Sequence, residues 1–120
     1  MNRIDKKFRE LKKSGNKAFI AYITAGDPNL KATQNIALAL EKSGVDILEL
    51  GIPFSDPLAD GPTIQAASYR ALENGASLKK IFGMVSDLRK KTELPIVFMT
   101  YYNPVLKYGL AKFFKSCETL

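Results

Sequence analysis

Apolar and polar positions along the chain follow two patterns, one typical of buried strands and one typical of amphipathic helices. The runs AFIAYIT (residues 18–24), VDILEL (45–50) and LPIVFMTYY (94–102) are short and rich in β-branched or aromatic residues. Apolar residues occupy both faces of each run, which predicts strands that are covered on both sides, as in a parallel sheet.

Between these runs, apolar residues recur at helical spacing. Leu30, Ile36 and Leu40 share one side of a predicted helix, and Pro62 and Gly75 mark the start and stop of another. The sequence NPV, at 103–105, predicts a short turn after the third strand. The predicted helices cover residues 30–43, 62–74, 78–91 and 110–118, and a first helix within residues 1–17 carries the apolar stripe Ile4, Phe8 and Leu11.

Strand and helix alternate through the chain, which predicts right-handed crossovers and an α/β fold with a parallel sheet. No linker or low-complexity segment interrupts residues 1–120, so we expect a single domain. Three strands with two apolar faces need neighbours that these residues do not supply, and the last predicted helix reaches Leu120 without a capping residue. We therefore expect an incomplete domain, the first part of a longer protein.

The net charge of +6 comes mostly from one terminal segment. Residues 1–17 hold seven basic and two acidic residues, whereas the rest of the chain is nearly balanced. We expect a helix docked on the body of the protein with its lysines in water. An RNA-binding or membrane-binding arm is the alternative, although no aromatic side chains are interleaved with the basic ones to stack on bases.

The inventory of reactive side chains restricts the chemistry. The chain has no histidine, and Cys117 is its only cysteine, which excludes an intrachain disulfide and predicts no metal site. Proton transfer near neutral pH then falls mainly to carboxylates. No apolar run approaches the roughly 20 residues of a membrane span, and no signal peptide is recognisable, so a cytoplasmic protein is expected.

Carboxylates concentrate around the end of the second predicted strand. Glu49 lies within that strand, and Asp56 and Asp60 follow in a loop with three prolines. Burial of Glu49 would raise its pKa towards neutrality, which suits an acid that also acts as a base, while a position just before a helix keeps Asp60 ionised. Structural roles are the alternative: a turn starter for Asp56, a helix cap for Asp60 and a satisfied buried carboxyl for Glu49.

The segment LELGIPFSDPLADGPTIQAA, residues 48–67, resembles the signature of the tryptophan synthase α subunits. Three flanking segments agree with it in order and spacing: AYITAGDPN, GVDILELGIP and PIVFMTYYNPV. The resemblance runs from about Phe8 to Cys117. It implies a (β/α)8 barrel (TIM barrel) of about 250 residues, of which this chain would supply the first three β/α units and an N-terminal helix.

The resemblance also implies a reaction. The family cleaves indole-3-glycerol phosphate to indole and glyceraldehyde 3-phosphate, with no cofactor and no metal in this subunit. By resemblance, Glu49 carries the proton to and from the substrate, and Asp60 stabilises the positive charge that develops on the indole ring. The implied substrate contacts, at strand ends where core or rim roles are the alternative, are Tyr22, Thr24, Thr100 and Tyr102.

A partner is implied as well. The family pairs with a β subunit that uses pyridoxal phosphate, in an α2β2 heterotetramer. The residues that the resemblance assigns to this interface are Pro53, Asp56, Pro57, Asn103 and Pro104. Phosphate is often gripped by loops after strands seven and eight of such barrels, which these 120 residues do not include, so we expect no appreciable activity from the chain alone.

Two other functions stay open at this stage. Another (β/α)-barrel lyase or isomerase acting on a phosphorylated substrate would use the same carboxylates without the interface loop. A non-catalytic binding protein would use Asp56 and the prolines only to dock a partner.

Overall fold

The computed structural model describes residues 1–120, which build one parallel three-stranded sheet. Its strands β1 (Ile20–Thr24), β2 (Ile47–Gly51) and β3 (Ile96–Met99) lie in the order β1-β2-β3. In the register of the sheet, Glu49 pairs with Tyr22 on one side and with Val97 on the other. The predicted parallel sheet is therefore confirmed, with β2 at its centre.

Six helices connect and flank the strands: α1 (Arg3–Ser14), α2 (Leu30–Lys42), α3 (Pro62–Glu73), α4 (Leu78–Arg89), α5 (Tyr102–Tyr108) and α6 (Leu110–Thr119). Local sequence explains several of their ends. Asn29 and Ser77 cap α2 and α4 by accepting hydrogen bonds from main-chain N–H groups in the first turn, and Pro62 occupies the start of α3. Four of the helices lie close to the predicted ranges 30–43, 62–74, 78–91 and 110–118.

The third strand is shorter than the predicted range 94–102. It ends at Met99, and the segment predicted as a turn after it is the helix α5. Tyr101 has an extended backbone and precedes the first turn of α5, where Pro104 is tolerated because its missing N–H would have no partner within the helix. The aromatic residues Tyr101 and Tyr102 favoured a longer strand in the sequence, although Tyr101 lies in a loop and Tyr102 begins a helix.

Most of the core lies on one face of the sheet. Leu48 and Leu50 of β2 are fully buried, and they belong to apolar clusters that include Ala37 of α2 and Ile81 and Leu88 of α4. A full Leu or Ile side chain contributes roughly 1.5–3 kcal/mol on burial, so these contacts supply much of the energy that holds the helices on the sheet.

The opposite face of the sheet is only partly covered. Tyr22, Glu49 and Val97, which lie in a row across the three strands, are half-buried. β1 and β3 form the two edges of the sheet and are only partly covered, as expected for strands whose neighbours these residues do not supply. Ile20 and Met99 at these edges are 47% and 56% exposed.

The N-terminal helix forms as predicted, and it contacts the body without fully burying its apolar stripe. α1 has no buried residue, and Phe8 in its apolar stripe is 47% exposed. Contacts with the body include those of Arg3, which donates hydrogen bonds to Glu93 and to the main-chain oxygen of Leu120. Ile4 and Leu11 of the same stripe are partly buried.

Candidate functional site

A cavity of about 490 Å³ opens at the carboxyl ends of the strands. In a parallel α/β protein this edge is where functional groups collect, because strand ends and the loops after them converge there. The polar residues in its wall come from four parts of the chain. They are Tyr22 of β1, Glu49 of β2, Asp60 and Ser68 in and before α3, and Thr100 and Tyr101 after β3.

Glu49 reaches this cavity from the centre of β2. Its neighbours Leu48 and Leu50 point to the core, so strand alternation places Glu49 on the open face. Glu49 is the one residue of β2 that is only half-buried. The reason is that the helices α2 and α4 pack on the other face.

Asp60 enters the cavity from the loop before α3. The N-cap of α3 is Gly61, with no side-chain cap bond, so the alternative that Asp60 merely caps the helix is wrong. The Asp60 carboxylate instead accepts a hydrogen bond of 2.9 Å from the Tyr101 hydroxyl, and the same oxygen of Tyr101 accepts one of 3.0 Å from the N–H of Ala59. Desolvation, followed by the hydrogen bond to Asp60, raises the pKa of Tyr101.

Tyr101 and Ser68 are polar cavity residues that the sequence did not predict. The predicted counterpart of Tyr101, Tyr102, is the first residue of α5, is 61% exposed and does not line this cavity. Strand parity was the available signal: Val97 pairs with Glu49, so Met99 and Tyr101 continue the same face. Both of them line the cavity.

Of the three other predicted substrate contacts, two line the cavity and one does not. Tyr22 and Thr100 line the cavity, and the Thr100 hydroxyl donates to the main-chain oxygen of Tyr101 at 2.8 Å. Thr24 is buried behind the cavity wall, with its hydroxyl oxygen 3.2 Å from that of Tyr22. It contacts a lining residue but does not line the cavity itself.

The five predicted partner-interface residues lie in two places. Pro53, Asn103 and Pro104 line a second groove of about 730 Å³, next to the first cavity and between the loop after β2 and α5. Asp56 is exposed and accepts a hydrogen bond of 2.7 Å from the Ser55 hydroxyl. Pro57 lies outside that groove, and its main-chain oxygen is bonded by Gln65. The groove and the exposed loop are continuous along the chain.

Two carboxyls in one cavity, in unlike surroundings, suit acid–base chemistry. The Tyr101 hydroxyl holds the Asp60 carboxylate in one orientation, whereas Glu49 faces the cavity from the centre of β2, where it can exchange a proton with a bound molecule. No group of three His, Cys, Asp or Glu side chains is placed to hold a metal ion. None of the helices is both long enough and apolar enough to cross a membrane.

Comparison of the sequence with known proteins finds one family. The family model described as tryptophan synthase alpha chain matches residues 8–120. The tryptophan synthase alpha chain of Caldanaerobacter subterraneus is 58% identical over 118 residues, which are 98% of this chain and 45% of that protein. The alpha chain of Clostridium kluyveri is 56% identical over 120 residues, all of this chain and 46% of that protein.

Solved structures agree with the sequence comparison. The structure is similar to tryptophan synthase subunit alpha from Legionella pneumophila with a TM-score of 0.94 at 46% identity, over 97% of this chain and 45% of that one. Tryptophan synthase from M. tuberculosis, in an aminoacrylate-bound form, gives a TM-score of 0.89 at 34% identity, over 99% and 48%. The chain thus spans somewhat less than half the length of these relatives, and its fold is that of the first β/α units of a TIM barrel.

Proposed function

The chain belongs to the tryptophan synthase alpha chain family, and on that premise we propose that it supplies the catalytic carboxylates of a carbon–carbon lyase. The substrate is indole-3-glycerol phosphate, and the products are indole and glyceraldehyde 3-phosphate. One observation carries the proposal: Glu49 and Asp60 line the same cavity at the carboxyl ends of the strands.

Glu49 acts as the proton carrier in this proposal. It protonates C3 of the indole ring, which turns the ring into an electron sink. The bond from C3 to the glycerol chain then breaks, its electrons return to the ring, and the adjacent hydroxyl loses its proton as the aldehyde carbonyl forms. A carboxyl that faces an open cavity can both give and take these protons.

Asp60 stabilises the charge that appears between these steps. Protonation at C3 leaves the ring positive, with much of the charge at its nitrogen, and a fixed carboxylate near that N–H lowers the energy of the charged state. The hydrogen bond from Tyr101 keeps the carboxylate in one orientation before the substrate arrives. Such preorganisation is what makes an electrostatic contribution large.

The complete reaction requires more chain than these 120 residues. The relatives are more than twice as long, and the loops after strands seven and eight, which grip phosphate in many barrels, lie outside the residues present. We propose that residues 1–120 have no appreciable lyase activity alone. We also propose that this subunit needs no cofactor and that it works in the cytoplasm, in keeping with a single free thiol at Cys117.

The partner in this proposal is a β subunit that holds pyridoxal phosphate and joins indole to serine, in an α2β2 assembly. The groove lined by Asn103, Pro104 and the buried Pro53, together with the exposed Asp56 and the half-buried Pro57, is the surface offered to it. This surface adjoins the cavity through the loop after β2. A change at the interface would therefore reach Asp60 through a short stretch of chain.

The test uses a graft in which residues 1–120 replace the matching part of the Caldanaerobacter alpha chain. Release of indole from indole-3-glycerol phosphate is measured for the graft and for its Glu49→Gln and Asp60→Asn variants. We expect an active graft and a loss of at least about 10²-fold in kcat for each variant, as for the removal of a group that stabilises transition-state charge. Asp87→Asn, on the exposed side of α4, is the matched control and should keep full activity. Turnover that survives both changes at Glu49 and Asp60 would refute the mechanism.

A further inference from the structure

The carboxyl end of α3 is tied to the loop that follows β1. The Arg70 guanidinium donates two hydrogen bonds to the Asp27 carboxylate, at 2.9 and 2.8 Å. The Asn74 side chain, at the end of the same helix, donates to the main-chain oxygen of Pro28 at 2.7 Å. Paired bonds between a guanidinium and a carboxylate fix orientation as well as distance, so the end of α3 has a defined place on this loop.

Packing beneath this pair is close. Gly26, just before Asp27, has a φ of +92°, and a Cβ there would lie 2.7 Å from the Cβ of Ala76 and 3.2 Å from that of Ala71. The N–H of Gly26 donates at 2.9 Å to the hydroxyl of Thr33 in α2. The loop is therefore fixed to α2 on one side and meets α3 without a gap on the other.

The other end of α3 reaches the catalytic cavity. Ile64 and Ser68 of this helix line the cavity wall, and Asp60 stands two residues before its first residue. At this end the helix is tied by the hydrogen bond from Tyr101 to Asp60. α3 is thus a short helix of 12 residues with polar ties at both ends: the Tyr101–Asp60 bond before its start, and the bonds of Arg70 and Asn74 near its end. If the Arg70–Asp27 bonds near the end of α3 are lost, the helix can tilt about the Tyr101–Asp60 bond before its start.

We propose that Asp27 and Arg70 are positioning residues for the lyase reaction, and that their ion pair keeps the α3 wall of the cavity and the Asp60 carboxylate in register with Glu49. The inference rests on the proposed function. Neither residue lines the cavity. The Arg70 side chain is 53% exposed, and exposed ion pairs contribute little to the free energy of unfolding, so the effect of the pair falls on geometry more than on stability.

The kinetic test uses the same graft with Asp27→Asn, Arg70→Lys and the charge-swapped double variant Asp27→Arg/Arg70→Asp. Misplacement of Asp60 weakens a contact that matters in the transition state, so kcat should fall by about tenfold in Asp27→Asn while KM stays within about twofold. Arg70→Lys keeps the charge but loses the paired geometry, and should fall nearly as far. The swapped variant should recover part of the loss, whereas Asp87→Asn, which breaks an exposed ion pair on α4, should change neither constant.

Hydrogen exchange in the 120-residue chain provides the second measurement. Amides of α3 should exchange at least about tenfold faster in Asp27→Asn than in the unsubstituted chain, while those of α4 stay unchanged, because only α3 loses a tie. Unchanged exchange in α3, or faster exchange in α3 with kcat unaltered in the graft, overturns the inference. A graft that is inactive without any of these substitutions overturns the proposed function, and the exchange rates then still decide whether the pair holds α3.

Discussion

The ring of Tyr22 lies directly over Gly51 of the neighbouring strand. A Cβ at position 51 would lie 2.0 Å from the Tyr22 hydroxyl oxygen and 2.6 Å from the ring carbon that bears it. The glycine in the segment LELG therefore has a steric role, because it leaves the space through which Tyr22 crosses from β1 to the cavity. Two residues earlier on the same face of β2 stands Glu49, which pairs with Tyr22 in the register.

Gly51→Ala should displace the Tyr22 ring from the cavity while leaving the fold intact, because the atoms that clash are at the far end of a movable side chain. In the graft we expect KM for indole-3-glycerol phosphate to rise by about tenfold, as for the loss of a contact worth roughly 1.4 kcal/mol. Steady-state kinetics give KM, and circular dichroism verifies folding. A KM unchanged by the substitution would mean that Tyr22 does not contact the substrate.

Gly83→Ala is the control for Gly51→Ala, at a glycine where an added Cβ has room. Gly83 lies inside α4, is exposed, and a Cβ there would meet nothing within 4 Å. Alanine restricts the unfolded chain and favours the helix, so the free energy of unfolding should rise by about 0.5–1 kcal/mol. Thermal denaturation of the 120-residue chain measures it, and a lower melting temperature would contradict the prediction.

Tyr101→Phe removes the hydroxyl that links Asp60 to Ala59. The main-chain N–H of Ala59 and the Asp60 carboxylate each lose a partner. We expect kcat in the graft to fall by about tenfold or more, because removal of one hydrogen bond to a charged group costs roughly 1.5–3 kcal/mol. Tyr102→Phe is the control next to it in sequence. It should leave kcat unchanged, and an equal loss at both positions would refute the role of Tyr101.

Acid should weaken the Asp27–Arg70 pair. The hydrogen bond from Arg70 lowers the pKa of Asp27 below its ordinary value of 3.8. A carboxyl whose pKa is lower in the folded than in the unfolded state adds stability above the unfolded value, and this contribution is lost as pH falls through the folded one. The melting temperature of the 120-residue chain should therefore fall as the pH drops below the ordinary carboxyl value of 3.8, and the fall should be smaller in Asp27→Asn. An identical pH profile in the two chains would contradict the assignment.

Leu50→Ala tests the apolar core between β2 and α4. Leu50 is fully buried in the cluster that joins β2 to α4, and its truncation should cost about 2–5 kcal/mol. Leu58 is 91% exposed in the loop after β2, so Leu58→Ala should stay within about 0.5 kcal/mol of the unsubstituted chain. Urea denaturation of both variants measures the difference, and similar midpoints would show that Leu50 is not part of a cooperative core.

The spacing of apolar residues and the positions of proline and glycine in the sequence determined the order and type of most elements. Short runs that are apolar on both faces predicted strands, and the spacing of Leu30, Ile36 and Leu40 predicted α2, because these patterns report which side chains must leave water. Three strands and five of the six helices follow from such signals. The sequence also singled out Glu49 and Asp60 around the end of β2, and both line one cavity in the structure.

Tertiary structure decided which residues are buried and which distant residues contact each other. The half-burial of Glu49 depends on which face the helices cover, and the exposure of Phe8 depends on whether any surface meets α1, and neither is a local property of the chain. The contacts of Asp27 with Arg70 and of Asp60 with Tyr101 join residues more than 40 positions apart. Such pairings arise only when the strands are in register, since backbone propensity acts over a few residues whereas packing brings distant residues together.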